Sequence, residues 1–331
     1  MSQSQTGAIL EVKDLVAAFR TEAGLLRAVD GVSFKLRPNA TLGIVGESGC
    51  GKTVTALSVM RLLPKPSGQY LKGEILFKDK DILKLSPDEL HSIRGNNISM
   101  IFQEPMTALN PVHSIGKQMA ETFLLHNPGM SKSDILKESI DLLKKAGISD
   151  PEQKINEYPH QLSGGMRQRV MIAMALSLKP AILIADEPTT ALDVTIQAQI
   201  LELIKELQKE SGMSMIFITH NLGVIAQICD DVLVMYAGKI VERAPVQKLF
   251  YEPAHPYTKG LFASIPRLDT ERKSKLATIS GIVPAISEYP KGCRFRNRCP
   301  EAFERCISES PEEVYISEEH YASCFRLNAA G

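Results

Sequence analysis

The chain has 331 residues and equal numbers of basic and acidic side chains, 38 each, so its zero net charge gives no support to a nucleic-acid-binding surface. No apolar run approaches the ~20 residues that cross a bilayer, and Met1-Ser-Gln-Ser-Gln-Thr6 lacks a charged-then-apolar leader, so a soluble intracellular chain of one large domain plus an appendage, or of two domains, is predicted. Cys50 and Cys229 stand alone while four more cysteines lie between Cys293 and Cys324, a clustering that in a cytosolic chain suggests metal before disulfides.

Ile9 to Phe19 and Val29 to Leu36 read as strands, the second alternating Val32, Phe34 and Leu36 against Ser33, Lys35 and Arg37, with a turn at Pro38-Asn39. Phe19, just ahead of a glycine-containing turn, suits stacking on a purine or ordinary strand packing equally well. Thr41 to Val45 is a short apolar strand that runs into Gly-Glu-Ser-Gly-Cys-Gly-Lys-Thr, residues 46 to 53, which fits G-x-x-x-x-G-K-[ST]. Val54 to Met60 continues it as a helix. Gly46, Gly49 and Gly51 let successive N–H groups curl around phosphates at a positive helix end. Lys52 reaches the β- and γ-phosphates and Thr53 holds Mg²⁺, so the stretch predicts a nucleoside triphosphate.

Pro64, Pro66 and Gly68 then break the chain, and Gly73 to Phe77 reads as a strand. Ile98 to Phe102 is another, ending at Gln103. From about Ser114 to Gly147 the pattern turns helical, with Ile135, Leu136, Ile140, Leu143 and Ala146 on one face, Ser131 or Ser133 as N-cap and Gly147 at the end. Leu162-Ser-Gly-Gly-Met-Arg-Gln-Arg169 leads into a helix over Val170 to Leu178, so Ser163, Gly164 and Gly165 form a second anion nest. Ala181 to Ala185 is a buried strand ending in Asp186-Glu187, where one acid sits beside Mg²⁺ and the next polarises water. Ala191-Leu-Asp193 opens a helix over Thr195 to Glu210, striped by Ile196, Ile200, Leu203, Ile204 and Leu207 and ended by Gly212. Met215 to Thr219 is a strand with His220 at its tip, and Asp231 to Met235 pairs with Lys239 to Glu242 through Ala237-Gly238.

On these stretches, from Ile9 to Phe262, the chain resembles the ABC-type ATPases. The fold implied is α/β: a P-loop ABC ATPase core with an antiparallel β subdomain, a helical insertion over about 104–178, and a cysteine-rich C-terminal tail. The resemblance places a nucleotide-binding domain over 1–262 and a metal-binding tail over 263–331. It makes Phe19 the adenine-stacking ring and puts Ser48, Gly49, Cys50, Gly51, Lys52, Thr53 and Val54 around the ATP phosphates. Gln103 becomes the residue sensing Mg²⁺ and γ-phosphate, and Ser163, Gly164 and Gly165 the signature facing ATP held by a partner subunit. Asp186 is the Mg²⁺ acid, Glu187 the general base, Asp193 the D-loop acid and His220 the γ-phosphate switch. Met166 replaces the commoner Gln after Ser-Gly-Gly and Val54 a hydroxyl residue, neither of which removes a backbone donor. Cys50 falls where the main chain does the binding, so an exposed thiol with a pKa lowered by Lys52 and the helix end is expected.

Glu104-Pro-Met-Thr-Ala-Leu-Asn-Pro111, Met166-Arg-Gln-Arg-Val-Met171, His255-Pro-Tyr257 and the cysteine tail resemble the ATP-binding subunits of dipeptide and oligopeptide importers. That resemblance implies an ATPase pairing with a paralogous subunit or a second copy, two membrane-spanning permease subunits, an extracytoplasmic peptide-binding protein, and a place on the cytoplasmic face of the membrane. Importers of nickel or other small solutes share much of the pattern, and soluble ABC ATPases of translation or DNA repair form a further class. Cys293, Cys299, Cys306 and Cys324, spaced C-x5-C-x6-C-x17-C, are expected to carry a [4Fe–4S] cluster with zinc as the rival, because zinc ligands usually lie two to four residues apart. The tail from Asp269 has few large apolar residues and is expected to need such a staple.

Overall fold

A computed structural model describes residues 7–103, 108–190, 192–265 and 278–330. Glu104 to Thr107 of the Glu104–Pro111 stretch, Ala191, and the start of the tail at Asp269 lie outside the described residues. Among the described residues twelve strands run in chain order: β1 Leu10–Thr21, β2 Gly24–Leu36, β3 Thr41–Val45, β4 Gly68–Phe77, β5 Lys80–Asp81, β6 Ile98–Ile101, β7 Ile182–Asp186, β8 Ser214–Thr219, β9 Asp231–Tyr236, β10 Lys239–Pro245, β11 Val314–Ser317 and β12 His320–Ala322.

The chain divides into two compact units, and the first comprises Leu10–Lys35, Thr41–Leu83 and Thr219–Gly331. One of its sheets has the order β2-β1-β4-β5, with β1 and β4 antiparallel from Leu10 opposite Phe77 to Phe19 opposite Gly68. In the other, β3 and β9 are parallel and β9 turns back into β10 at Ala237-Gly238. The apolar run of β3 is buried along its whole length, as a strand covered on both faces must be. Its Gly43 is the close-approach point: a Cβ there would stand 2.8 Å from Cys229 Sγ and from Ile225.

Beyond β10 the first unit departs from expectation. The tail, expected to build little core and to need a staple, adds β12 antiparallel to β10 and β11 outside it, and buries Phe295, Tyr321, Ala322 and Phe325. These strands are short and flanked by acids, so their pattern carries little strand signal; backbone pairing to β10 supplies what the side chains do not.

The second unit comprises Met1–Ile9, Leu36–Ala40 and Lys84–Ile218. Its strands β6, β7 and β8 are parallel, Ile98 opposite Ile182 and Ile182 opposite Ser214, and all their residues are buried. The helical stretch expected from Ser114 to Gly147 is two helices, Ile115–His126 and Lys132–Lys145. Ser114 Oγ accepts from Lys117 N and Ser131 Oγ from Asp134 N, each cap contributing about 1 kcal/mol, which settles the cap choice on Ser131. The buried face of the second helix runs Ile135, Ser139, Leu143 to Ala146; Leu136 is 49% exposed, one residue and therefore about 100° round from Ile135. The helix expected from Val170 begins six residues earlier, at Gly164, and runs to Leu176. Val194–Ser211 follows the expected stripe, closing on Gly212 at φ 65°.

Candidate functional site

In the first unit the phosphate loop joins β3 to the helix Lys52–Val59. Gly46 passes so close over the Met235 carbonyl that no Cβ fits, and Gly51 has φ 106° with the Ala28 carbonyl 2.8 Å from where a Cβ would stand. Ser48 and Gly49 are exposed at the rim, while Thr53 and Val54 are half-buried. Lys52 is buried, its Nζ donating to the carbonyls of Gly46 at 2.7 Å and Glu47 at 3.2 Å. Those two bonds hold the ammonium over its own loop. The expectation for Cys50 is wrong: its side chain is fully buried beneath the loop, Sγ 2.8 Å from where a Gly46 Cβ would be. Burial pushes its pKa up against the opposing pull of Lys52, so the thiol is neutral and sheltered.

Phe19 is half-buried on β1 opposite Gly68, which offers the ring no cross-strand side chain. His220 is exposed between Thr219 and the helix Leu222–Ile228, whose N-cap Asn221 accepts from Gly223 N and Val224 N.

In the second unit, Asp186 ends β7 fully buried and Glu187 follows in a left-handed conformation, φ 46°. That conformation costs a non-glycine residue about 1–3 kcal/mol. It is held by the bond from Glu187 N to the Ile218 carbonyl at 2.9 Å and by two donors on Oε2: Gln103 Nε2 at 3.2 Å and Thr190 Oγ1 at 2.9 Å. Gln103 and Glu187, expected at strand ends, are thus brought together. Thr190 was missed, its only signal being a hydroxyl three residues after Glu187.

Ser163 caps the helix Gly164–Leu176, its Oγ accepting from Met166 N at 3.3 Å. Asp193 caps Val194–Ser211, Oδ1 accepting from Ile196 N at 3.0 Å. The two caps are linked, because a Cβ on Gly165 would stand 3.0 Å from Ile196 Cγ2.

The four tail cysteines line one small cavity in the first unit, walled by Phe295, Phe303 and Phe325. None of the six cysteines is disulfide-bonded. Among the described residues no three His, Cys, Asp or Glu side chains converge as ligands of a metal ion, so the expected metal site is not seen as a gathered ligand set. Burial raises the pKa of Cys293, of Cys324 and of Cys299, the last to about 11, and each is raised further by neighbouring thiols or acids.

Two tail arginines reach the phosphate-loop region. Arg294 donates to the Ala237 carbonyl and to Asp30 Oδ2, and Arg298 forms a two-pronged pair with Glu47 at 2.6 and 2.9 Å. From the His255-Pro-Tyr257 stretch, Tyr257 Oη accepts from Glu47 N at 2.9 Å. Burial drives His255 down to about 4, so it is neutral and its Nδ1 accepts from Tyr257 N. The stretch is anchored by Glu242 on β10, fully buried, which accepts from Ala254 N and His255 N and faces His320 Nε2 of β12 at 2.9 Å. Burial alone would raise the Glu242 pKa; His320 and the backbone donors hold it below its usual value. Sequence reasoning placed neither Arg298 nor Tyr257 near the loop.

The family pattern described as ABC transporter matches residues 29–190, and that of the oligopeptide/dipeptide transporter C-terminal region matches 241–306. The dipeptide transport ATP-binding protein DppD of Bacillus subtilis is 52% identical over 317 residues, 96% of this chain and 94% of that protein. The oligopeptide transport ATP-binding protein OppD of the same organism is 50% identical over 97% of this chain and 89% of its own. A dimeric bacterial ABC transporter cassette of known structure superposes with a TM-score of 0.65 at 27% identity, covering 72% of this chain and 98% of that one. The chain therefore belongs to the ABC transporters, among the ATP-binding proteins of the dipeptide and oligopeptide branch.

Proposed function

We propose that this chain is the ATP-hydrolysing subunit of a membrane importer, coupling ATP binding and hydrolysis in a pair of such subunits to uptake of dipeptides or oligopeptides. The observation that carries the hydrolytic reading is the Glu187 carboxylate, set just past buried Asp186 and oriented by Gln103 and Thr190. Glu187 takes the proton of the attacking water, and His220 and Gln103 face the γ-phosphate. Lys52 and the backbone from Ser48 to Val54 hold the phosphates, and Phe19 stacks on adenine. The hydroxyl of Thr53 and the buried carboxylate of Asp186 each offer the hard oxygen donor that a magnesium ion would take, and the ion would supply charge neutralisation to the phosphates.

The hydroxyl of Ser163 accepts from its own helix and keeps its proton to donate. With Gly164, Gly165 and Asp193 it faces ATP held by the other subunit, a paralogue or a second copy. Among the described residues no helix is long and apolar enough to cross a membrane. In this reading the chain works with two permease subunits from the cytoplasmic face, fed by an extracytoplasmic peptide-binding protein. Similarity over residues 241–306 supports the peptide reading. In this reading the nucleotide-binding domain spans 1–262, its helical insertion about 104–178, and the tail 263–331. Affinity capture from native membranes tests it: two multispanning proteins should co-purify, and reconstituted ATPase activity should rise with peptide-loaded binding protein. Stimulation by a nickel-loaded binder instead, or capture of ribosomes or DNA, would overturn it.

For the tail, we propose a [4Fe–4S] cluster on Cys293, Cys299, Cys306 and Cys324, with zinc as the rival: the four sulfurs line one aromatic-walled cavity, and their sequence spacing is wider than zinc sites usually use. Such a cluster would stabilise the thiolates that burial disfavours. Protein purified anaerobically from iron-replete cells should be brown with about four irons per chain. One zinc and no colour would reverse the assignment.

A further inference from the structure

Glu47, the first variable residue of the phosphate loop, points its side chain away from any role in the loop motif, yet every polar group it has is held. Its N–H donates to Tyr257 Oη at 2.9 Å. Its carbonyl accepts from Cys50 N at 3.3 Å and from Lys52 Nζ at 3.2 Å. Its carboxylate takes both prongs of Arg298. Arg298 is itself fixed: its side chain is only 5% exposed, and its remaining capacity goes to the carbonyls of Ser280, Ile279 and Gly281. It lies over the Tyr236 ring, which packs edge to face on Tyr257 and Phe295 while those two tilt against each other, with ring centres 4.8 to 5.3 Å apart.

From this geometry we infer that Arg298 and Tyr257 are positioning residues for ATP binding, acting through Glu47, so that the cysteine tail sets the affinity of the phosphate loop. One of the two carbonyls that park the Lys52 ammonium belongs to Glu47, the residue that Arg298 of the tail holds by its side chain and Tyr257, ahead of the tail, by its N–H. An Arg guanidinium in two-pronged contact fixes the plane of the carboxylate, which a point charge does not. With the grip released, residue 47 rotates, the Lys52 ammonium and the Cys50 N–H lose a common acceptor, and the loop meets phosphate from a spread of conformations. Ordering it then costs binding affinity. Because Arg298 stands between Cys293 and Cys299, whatever organises those thiols also organises the grip.

The inference rests on residues 46–53 being the ATP site. It is tested on the full chain by titrating a fluorescent ATP analogue against Arg298→Ala, Glu47→Ala and the double variant, with steady-state kcat and KM alongside. Each single variant should weaken ATP binding about tenfold, raise KM to match and leave kcat at saturation within about twofold. The double variant should be no weaker than either single one, because both remove the same link. Glu47→Arg combined with Arg298→Glu should recover part of the affinity. Arg298→Lys, which keeps charge and loses the fork, should fall between parent and Arg298→Ala. Should the Arg298 variants fail to fold, Glu47→Ala and Glu47→Gln probe the link from the loop side without touching the tail. Unchanged affinity in Glu47→Ala, or additive losses in the double variant, would overturn the inference. Lys52→Ala separates the two failures: if it too binds ATP normally, the site assignment is wrong, and if it alone loses binding, only the grip is.

Discussion

A Glu187→Gln chain keeps its affinity for ATP and loses turnover by about 10²–10⁴-fold, the range that a general base contributes. The substitution is close to isosteric, and its amide oxygen can still accept from Gln103 Nε2 and Thr190 Oγ1, so the side chain stays where the carboxylate was. The backbone bond from residue 187 to Ile218 also survives, and with it the left-handed turn after β7. What disappears is the ability to take a proton from water, because an amide is not a base. Retained nucleotide and released phosphate, measured on the same preparation, separate the two effects. An unchanged rate of phosphate release would remove Glu187 from the role.

Lys52→Ala fails earlier, at binding. The ammonium is buried and, among the described residues, its bonds go to two carbonyls of its own loop, with no carboxylate paired to it where phosphate is expected. Each charge-assisted bond lost costs about 1.5–3 kcal/mol, which for two phosphate contacts amounts to an affinity loss of 10²-fold or more. Calorimetric titration with ATP should show no measurable heat at concentrations that saturate the parent chain. Full affinity in this variant would mean that the backbone nest alone holds the nucleotide.

The parts of the chain that could be read beforehand are those whose signal is local. Thr41 to Val45, Ala181 to Ala185 and Met215 to Thr219 are short apolar runs between turn residues, and each is a buried parallel strand. The loop was legible because its glycines and lysine are constrained by the conformation itself. Leu136 misled because a face assigned by spacing admits a neighbour about 100° away, and a buried Ser139 offered no apolar cue. Cys50 misled because a loop with exposed Ser48 and Gly49 gives no sign that the next side chain turns inward. Arg298 and Tyr257 were beyond reach for another reason: their partner Glu47 lies 251 and 210 residues away, and nothing in a charge pattern specifies a pairing at that separation. The tail strands β11 and β12 likewise owe their existence to an open edge on β10, a property of the fold and not of their own residues.

The contact of Gly165 with Ile196 has a mechanical meaning. Glycine leaves the first turn of one helix close against the Ile196 side chain in the first turn of another, so that only one β-branched side chain, stiff at χ1, separates them. Ser163 and Asp193 each sit at the head of one of these helices, so a shift imposed on the aspartate arrives at the serine undamped. Whatever meets either head group is therefore felt by both, and the pair behaves as a single stiff contact surface.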